Sequence, residues 1–316
     1  MARLPDAPFN WTQWIDKVGK PTQYFYQLIL DLWRRVDDIE SAQNDSLLAQ
    51  LAALRKDVEE LNTDFGLEVA KGNVAGHRAI NKFGLNGVVA SGVTADIWSG
   101  GLTGGNLIWD APTASTHTIA STDANDTSGG SGALTVKIWG LTSWTTTEVN
   151  ETVTMNTGTP PATSNSYVII HRMKVVTSGG TSINAGAITA TADTGGVVTA
   201  RIEIGQGQTQ MAVYGVPSIE TLYINEIGYT MNKAGGATAL GDIDLLVNSE
   251  PQTQLTQFVS KHPGGLQSVG NSALPITFTP PKTIPGPAIV KLQTISGTSS
   301  ISVSGWFNGY VVTNGF

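Results

Sequence analysis

Leu134-Thr-Val-Lys-Ile-Trp139, closed by Gly140, is the stretch that decides the fold class. Leu134, Val136 and Ile138 share one side of an extended chain, and Thr135, Lys137 and Trp139 share the other. This two-residue period belongs to a strand with one face in a core and one outside. The same texture runs on in both directions. Strands are predicted upstream at 116–121 and downstream at 148–155, 167–176, 187–192 and 197–204. Asp126-Thr-Ser-Gly-Gly130, Gly158-Thr-Pro-Pro161, Ser178-Gly-Gly180 and Gly195-Gly196 supply turn residues between them. Gly205-Gln-Gly-Gln208 reads as a boundary. A second series follows at 211–216, 222–231, 239–247, 255–260, 276–278, 289–295 and 301–312. Its turns are expected at Gly235-Gly236, His262-Pro-Gly-Gly265, Pro280-Pro281, Pro285-Gly-Pro287 and Asn308-Gly309. Short strands at this spacing predict a mainly β chain with two jelly-roll-like β-sandwich domains, 106–205 and 206–316. Residues 66–105 are expected to form a linker and an irregular Gly-rich segment, with Ile97-Trp98 and Ile108-Trp109 as buried anchors.

The β body is preceded by one long helical pattern, predicted over 21–65 and about 60 Å long if continuous. Leu47, Leu51, Leu54, Val58, Leu61 and Phe65 follow one another at intervals of 4, 3, 4, 3 and 4. That is a heptad seam, the pattern of a coiled coil between copies of the chain. The polar run Ser41-Ala-Gln-Asn-Asp-Ser46 interrupts it and predicts a local change of supercoil or a short kink. Arg55, Lys56, Asp57, Glu59 and Glu60 charge the opposite face. Val58 followed by Leu61 fits two strands, and three strands bury the same stripe. Ahead of the helix, Pro5, Pro8, Trp11 and Trp14 make residues 1–20 a docking peptide: extended backbone, rigid aromatic anchors and little entropy to lose. The competing reading tucks Trp11 and Trp14 onto the helix that follows. Pro21 suits a first helical turn.

Composition excludes several function classes. The chain of 316 residues has no Cys, so thiolate chemistry and Cys-ligated metals are out. Residues 1–8 carry no apolar core of the secretory kind, and no apolar run is long enough to span a membrane. Net charge is −7 with no basic tract, which argues against nucleic acid as a partner. Charge is concentrated at the start: residues 1–71 hold 20 of the 43 charged side chains. The remaining body is rich in Thr and Gly, a low-charge β surface suited to close-packed assembly.

Catalytic and cofactor motifs are missing. His77, His117, His171 and His262 lack partners at metal-ligand spacing, and neither a nucleophile elbow nor a phosphate loop is present. Asp123-Ala-Asn-Asp126 has the oxygen-rich character of a Ca²⁺ loop, against which stands an Asx-turn bonding its own backbone. Asp242 and Asp244 read as the solvent face of a strand. Trp139, Trp144 and Trp306 are candidate stacking platforms for a host surface glycan, or else core residues.

Several blocks, in order, carry a family resemblance. They are Gly76-His77 through Asn81-Lys82-Phe83-Gly84; Asp96-Ile97-Trp98 with Gly100-Gly101; Ala124-Asn125-Asp126-Thr127 through Gly132-Ala133-Leu134-Thr135-Val136; Gly140-Leu141; Glu151-Thr152-Val153-Thr154-Met155-Asn156; Arg172-Met173-Lys174-Val175; and Asn184-Ala185-Gly186 through Ile188-Thr189-Ala190. Across roughly 76–200 the chain resembles a group of virion structural proteins of tailed bacteriophages, common in marine and freshwater phages. The resemblance implies a non-enzymatic virion component without cofactor or metal. Attachment to other virion proteins through the N-terminus is the expectation from the leader, and homo-oligomerisation, with a trimer expected, that from the heptad seam. A fibre or appendage, a head-decoration protein and a carbohydrate-binding adhesin are the readings to separate.

If the seam joins subunits, Leu54→Asp places an unpaired carboxylate in an apolar layer of each subunit, at a cost of several kcal/mol. Sedimentation equilibrium should show dissociation while circular dichroism retains the β signal. Glu60→Gln, on the outer face, should leave assembly unchanged. Loss of the β signal together with dissociation would assign the helix to the β core instead.

Overall fold

The period-two alternation of the deciding stretch is realised in a strand. Val136 and Ile138 are fully buried and Thr135, Lys137 and Trp139 half-buried on the other face, whereas Leu134, beside the register shifts at the start of the strand, is only half-buried. The computed structural model describes residues 50–52, 65–100, 113–232, 238–269, 271–297 and 299–315. Among the described residues, the element order after a short helix α1 (Phe65–Lys71) is entirely β. It runs β1 (His77–Val89), β2 (Thr94–Asp96), β3 (His117–Ser121), β4 (Ala133–Leu141), β5 (Val149–Thr154), β6 (Ile169–Ser178), β7 (Ile188–Ala192) and β8 (Val198–Ile202). It continues with β9 (Val213–Val216), β10 (Glu220–Asn232), β11 (Thr238–Asn248), β12 (Val259–Val269), β13 (Asn271–Pro285), β14 (Ala288–Ser296) and β15 (Ile301–Thr313).

All named pairings are antiparallel, in four sheets. A four-stranded sheet has the order β1-β15-β10-β13, and a five-stranded one β12-β11-β14-β2 with β9 also on β14. Two three-stranded sheets have the orders β3-β7-β8 and β5-β4-β6. Two apolar clusters fill the spaces between them. The first joins the larger sheets through Leu222, Ile224, Tyr229, Leu245, Leu292 and Phe307. The second lies between the smaller sheets, with Val136, Ile138, Met173, Ile188 and Ile202.

Strands β9 and β14 serve both clusters. Ala212, Tyr214 and Val216 belong to the first, and Met211 and Val213 to the second. On β14, Ala288, Val290 and Leu292 face the first while Ile289 faces the second. A strand buried on both faces reads as a continuous apolar run, and Ala288–Leu292 is one except at Lys291. Lys291 is tolerated there because Asp96 of β2, itself buried, pairs with it at 2.7 Å. Gln293 adds a hydrogen bond to the same carboxylate at 2.8 Å.

The sequence reading is corrected in three places. Residues 66–105 are not simply a linker: α1, β1 and β2 lie within them. Gly84 suggested irregularity but is required inside β1, because a Cβ there would sit 2.0 Å from the Ile97 carbonyl oxygen. The expected turns at His262-Pro-Gly-Gly265, Pro280-Pro281 and Asn308-Gly309 lie within β12, β13 and β15. β12 and β13 are sheet edges, which tolerate proline, and Pro280-Pro281 fall in a register gap between Thr277 and Lys282. The boundary at 205–208 does not separate two consecutive sandwiches. The strand order carries the chain from β2 into the smaller sheets and back through β9, and β1 pairs with β15 at the far end of the sequence. Residues 65–316 form one compact unit.

Most of the predicted helix 21–65 lies outside the described residues, with Leu47, Leu54, Val58 and Leu61. Residues 50–52, including half-buried Leu51, are helical.

Gly84→Ala should destabilise the fold by about 3 kcal/mol, since the atoms it meets are backbone and cannot swing away. Gly87→Ala, with nothing within 4 Å of the new Cβ, should be near neutral. Urea titrations of the two variants check the difference.

Candidate functional site

Strand β1 directs its even-numbered residues inward: Ile80 is half-buried, and Lys82, Gly84 and Asn86 are buried. Two cations, Arg78 and Lys82, therefore share the inward side of an edge strand. They meet Glu148, just ahead of β5, His171 and Arg172 on β6, and Tyr214 on β9, around a cavity of about 150 Å³.

Glu148 is the hub. One of its oxygens lies 2.5 Å from His171 Nε2 and 3.4 Å from the Arg78 guanidinium. Arg78 also donates to Glu220 at 3.0 Å, and its guanidinium lies 6.0 Å from the Tyr214 ring centre. The His171 and Tyr214 rings are 4.7 Å apart. Lys82 donates to the His171 carbonyl oxygen. Among the described residues it has no other hydrogen bond and no ion pair. His171 Nδ1 is buried without a partner.

Burial opposes charge throughout the cluster, and the neighbours decide the outcome. Burial alone would raise the Glu148 carboxyl, but His171, Arg78 and Lys82 more than reverse this and hold it at about 2. Burial pushes the Lys82 ammonium down to about 7, against the pull of Glu148 and with the push of Arg172. Burial likewise lowers His171, opposed by Glu148. Burial raises Tyr214 and Glu220, with Arg78 opposing in each case. Arg78 overcomes its own burial through Tyr214, Glu148 and Glu220, and its guanidinium is raised further.

Trp139 borders the cavity. Arg172 lies 4.9 Å from its ring centre and Lys137 5.0 Å. Its ring is thus occupied by cations. Trp144 is buried in the second cluster, so of its two readings the core one holds. Trp306 is half-buried and bonds Glu226 at 2.7 Å, its ring packed over Gly228.

The Asp123/Asp126 loop is a backbone clasp. Asp126 is fully buried. It accepts from the Ala133, Ala185 and Gly186 amides at 2.7–2.8 Å and from the Ser121 hydroxyl at 2.6 Å. Asp123 accepts from the Asn125 amide at 2.8 Å, an Asx-turn. Burial would raise Asp126, but these donors hold it below its usual value. With four donors on one carboxylate, the Ca²⁺ reading gives way to the Asx-turn. Among the described residues, no group of three His, Asp or Glu side chains could hold a metal ion.

Phe65, last of the predicted seam, is 54% exposed and meets His77 and Tyr310 edge-on at 5.8 and 5.6 Å. Pro5, Pro8, Trp11 and Trp14 lie outside the described residues. The cavity was missed because 77–89 was read as irregular. Once that segment is taken as a strand, the alternation of Arg78, Ile80 and Lys82 reveals it.

No family model and no curated protein matches the chain. Solved structures similar to it include T=1 particles derived from infectious bursal virus, at 12% identity over 76% of this chain and 70% of that one, TM-score 0.23. Infectious bursal disease virus Gt strain matches at 11% identity over 76% and 73%, TM-score 0.22. The VP2 subviral particle of that virus matches at 12% identity over 77% and 73%, TM-score 0.21. Scores this low transfer neither fold nor function.

Glu148 titrates far lower in the folded chain than in the unfolded one. Its contribution is therefore complete above about pH 4.5 and is lost as pH falls toward 2. Burial of His171 as the neutral ring acts in the same direction below about pH 6.5. Urea unfolding at stepped pH should show a loss of about 3 kcal/mol between pH 4.5 and 2 attributable to Glu148. Glu148→Gln should flatten that step.

Proposed function

We propose that the chain is a non-enzymatic structural protein of a tailed-phage virion. In this reading it is an oligomeric fibre or appendage protein, anchored by residues 1–20, joined through the 21–65 seam as a trimer, and exposing its β body. The observation that carries the reading is the ordered set of resemblance blocks between residues 76 and 200. The use the fold makes of those blocks supports it. Asp126, in one block, ties together Ala133 of the same block and Ala185-Gly186 of another, some 60 residues on. The block around Lys82 and Gly84 lines β1, and those at 151–156 and 172–175 flank β4 on both sides. Asp126 and Glu151 in these blocks spend their carboxylates on backbone amides, as a scaffold needs. A Thr-rich, charge-poor surface suits packing among neighbours.

Immunogold labelling of particles of the encoding phage tests the reading. Gold on a tail appendage is expected. Gold spread over the head would make the chain a decoration protein, and unlabelled particles would overturn the virion role. Deleting residues 1–20 should leave a folded oligomer absent from purified particles. Normal copy number after that deletion would rule the leader out as the anchor.

A further inference from the structure

The chain is acidic, yet its cations are gathered. Ten Lys and Arg residues follow Lys71, and five of them, Arg78, Lys82, Lys137, Arg172 and Lys174, converge on the cavity and the adjoining face of β4 and β6. In the register of these strands Lys137 stands directly opposite Lys174, and Trp139 opposite Arg172. Like charges directly opposed across strands are destabilising. On the third strand, Asn150 and Thr152 fall opposite Trp139 and Lys137 and bring no negative charge. Glu148 is the one carboxylate lining the cavity, and it is already shared by Arg78 and His171. Arg172 is drawn up by the Trp139 ring and a 3.2 Å bond to Gln208.

We propose that this cavity binds the carboxylate of an acidic sugar unit, seated against Lys82 and Arg172, with a neighbouring sugar hydroxyl donating to His171 Nδ1. Lys82 has three N–H donors and one acceptor, so two remain for a ligand oxygen. His171 gives its Nε2 side to Glu148, which leaves Nδ1 as a buried acceptor with nothing to accept from. A ligand with an anionic oxygen and a hydroxyl satisfies both. At about 150 Å³ the cavity has room for one such group and not for a long polyanion. The net charge of −7 also works against nucleic acid. The site stands independently of the virion reading, because it is tested on the purified chain in solution.

Binding should depend on pH. The groups facing Lys82 are Glu148, ionised throughout the neutral range, the Arg78 and Arg172 guanidiniums, neutral Tyr214, and His171, with Glu220 behind Arg78 and Lys137 beyond Trp139. Lys82, at about 7, is the group that changes charge between pH 6 and 8. Isothermal titration of the full chain with glucuronate should give saturable binding about tenfold weaker at pH 8 than at pH 6. Glucose should give none. Lys82→Met removes a buried charge and should fold, and Arg172→Gln changes an exposed side chain. Each should weaken binding about tenfold or more. Absence of glucuronate binding at pH 6, or undiminished binding in both variants, would overturn the site. Inorganic phosphate binding more tightly than glucuronate would overturn the sugar-acid assignment.

Discussion

The body depends on a wall of two strands buried on both sides. β9 and β14 alternate their side chains between two apolar clusters, so each cluster is closed by the residues its neighbour leaves over. The wall is buried along Val213–Val216 and from Ala288 to Leu292, and a charged group within that stretch is costly unless it finds a partner inside the protein. Lys291 meets that requirement with Asp96, which ties β2 into the same sheet. Removing either partner would leave a buried charge uncompensated, whereas the intact pair is close to neutral in energy.

The charged cavity follows from the same arrangement. β1 is an edge strand of the large sheet, and its inward side meets β6 and β9 in addition to the apolar cluster. Apolar residues would close that junction more cheaply. Arg78, Lys82, Glu148 and His171 occupy it instead, with Lys82 and His171 each holding unused hydrogen-bonding capacity. Partly satisfied polar clusters weaken a fold. Buried polar atoms without partners also occur elsewhere, at Trp144 and Tyr229, but here they gather with four charged side chains around one cavity, which is the physical reason to read this junction as a site.

Asp126 is the opposite case, a buried carboxylate fully used. One carboxylate closes two loops far apart in sequence, taking three backbone amides and a hydroxyl that would otherwise lie buried without acceptors. The acidic pair that invites a metal reading in the sequence proves to be part of the scaffold. Sequence spacing shows that oxygens are available, and only the fold shows that amides have already claimed them.

The sequence by itself determined the β class, most strand positions from 116 to 204, and the strands at 222–231, 239–247, 289–295 and 301–312. In those segments the signal is local: alternation where one face is buried, and in 289–295 an apolar run buried on both faces. It also exposed the 21–65 heptad, a local repeat. What it could not determine was pairing. β1 finds its partner more than two hundred residues away, and nothing local in a glycine-bearing edge strand announces this. Prolines in β12 and β13 resembled turns because the freedom of a sheet edge is a property of the sheet. The cavity belongs to the same class of fact: Arg78, Glu148, His171 and Tyr214 lie on four separate segments. Only the tertiary structure brought them together, because close packing of the two clusters, and no feature of any one segment, sets where those segments meet.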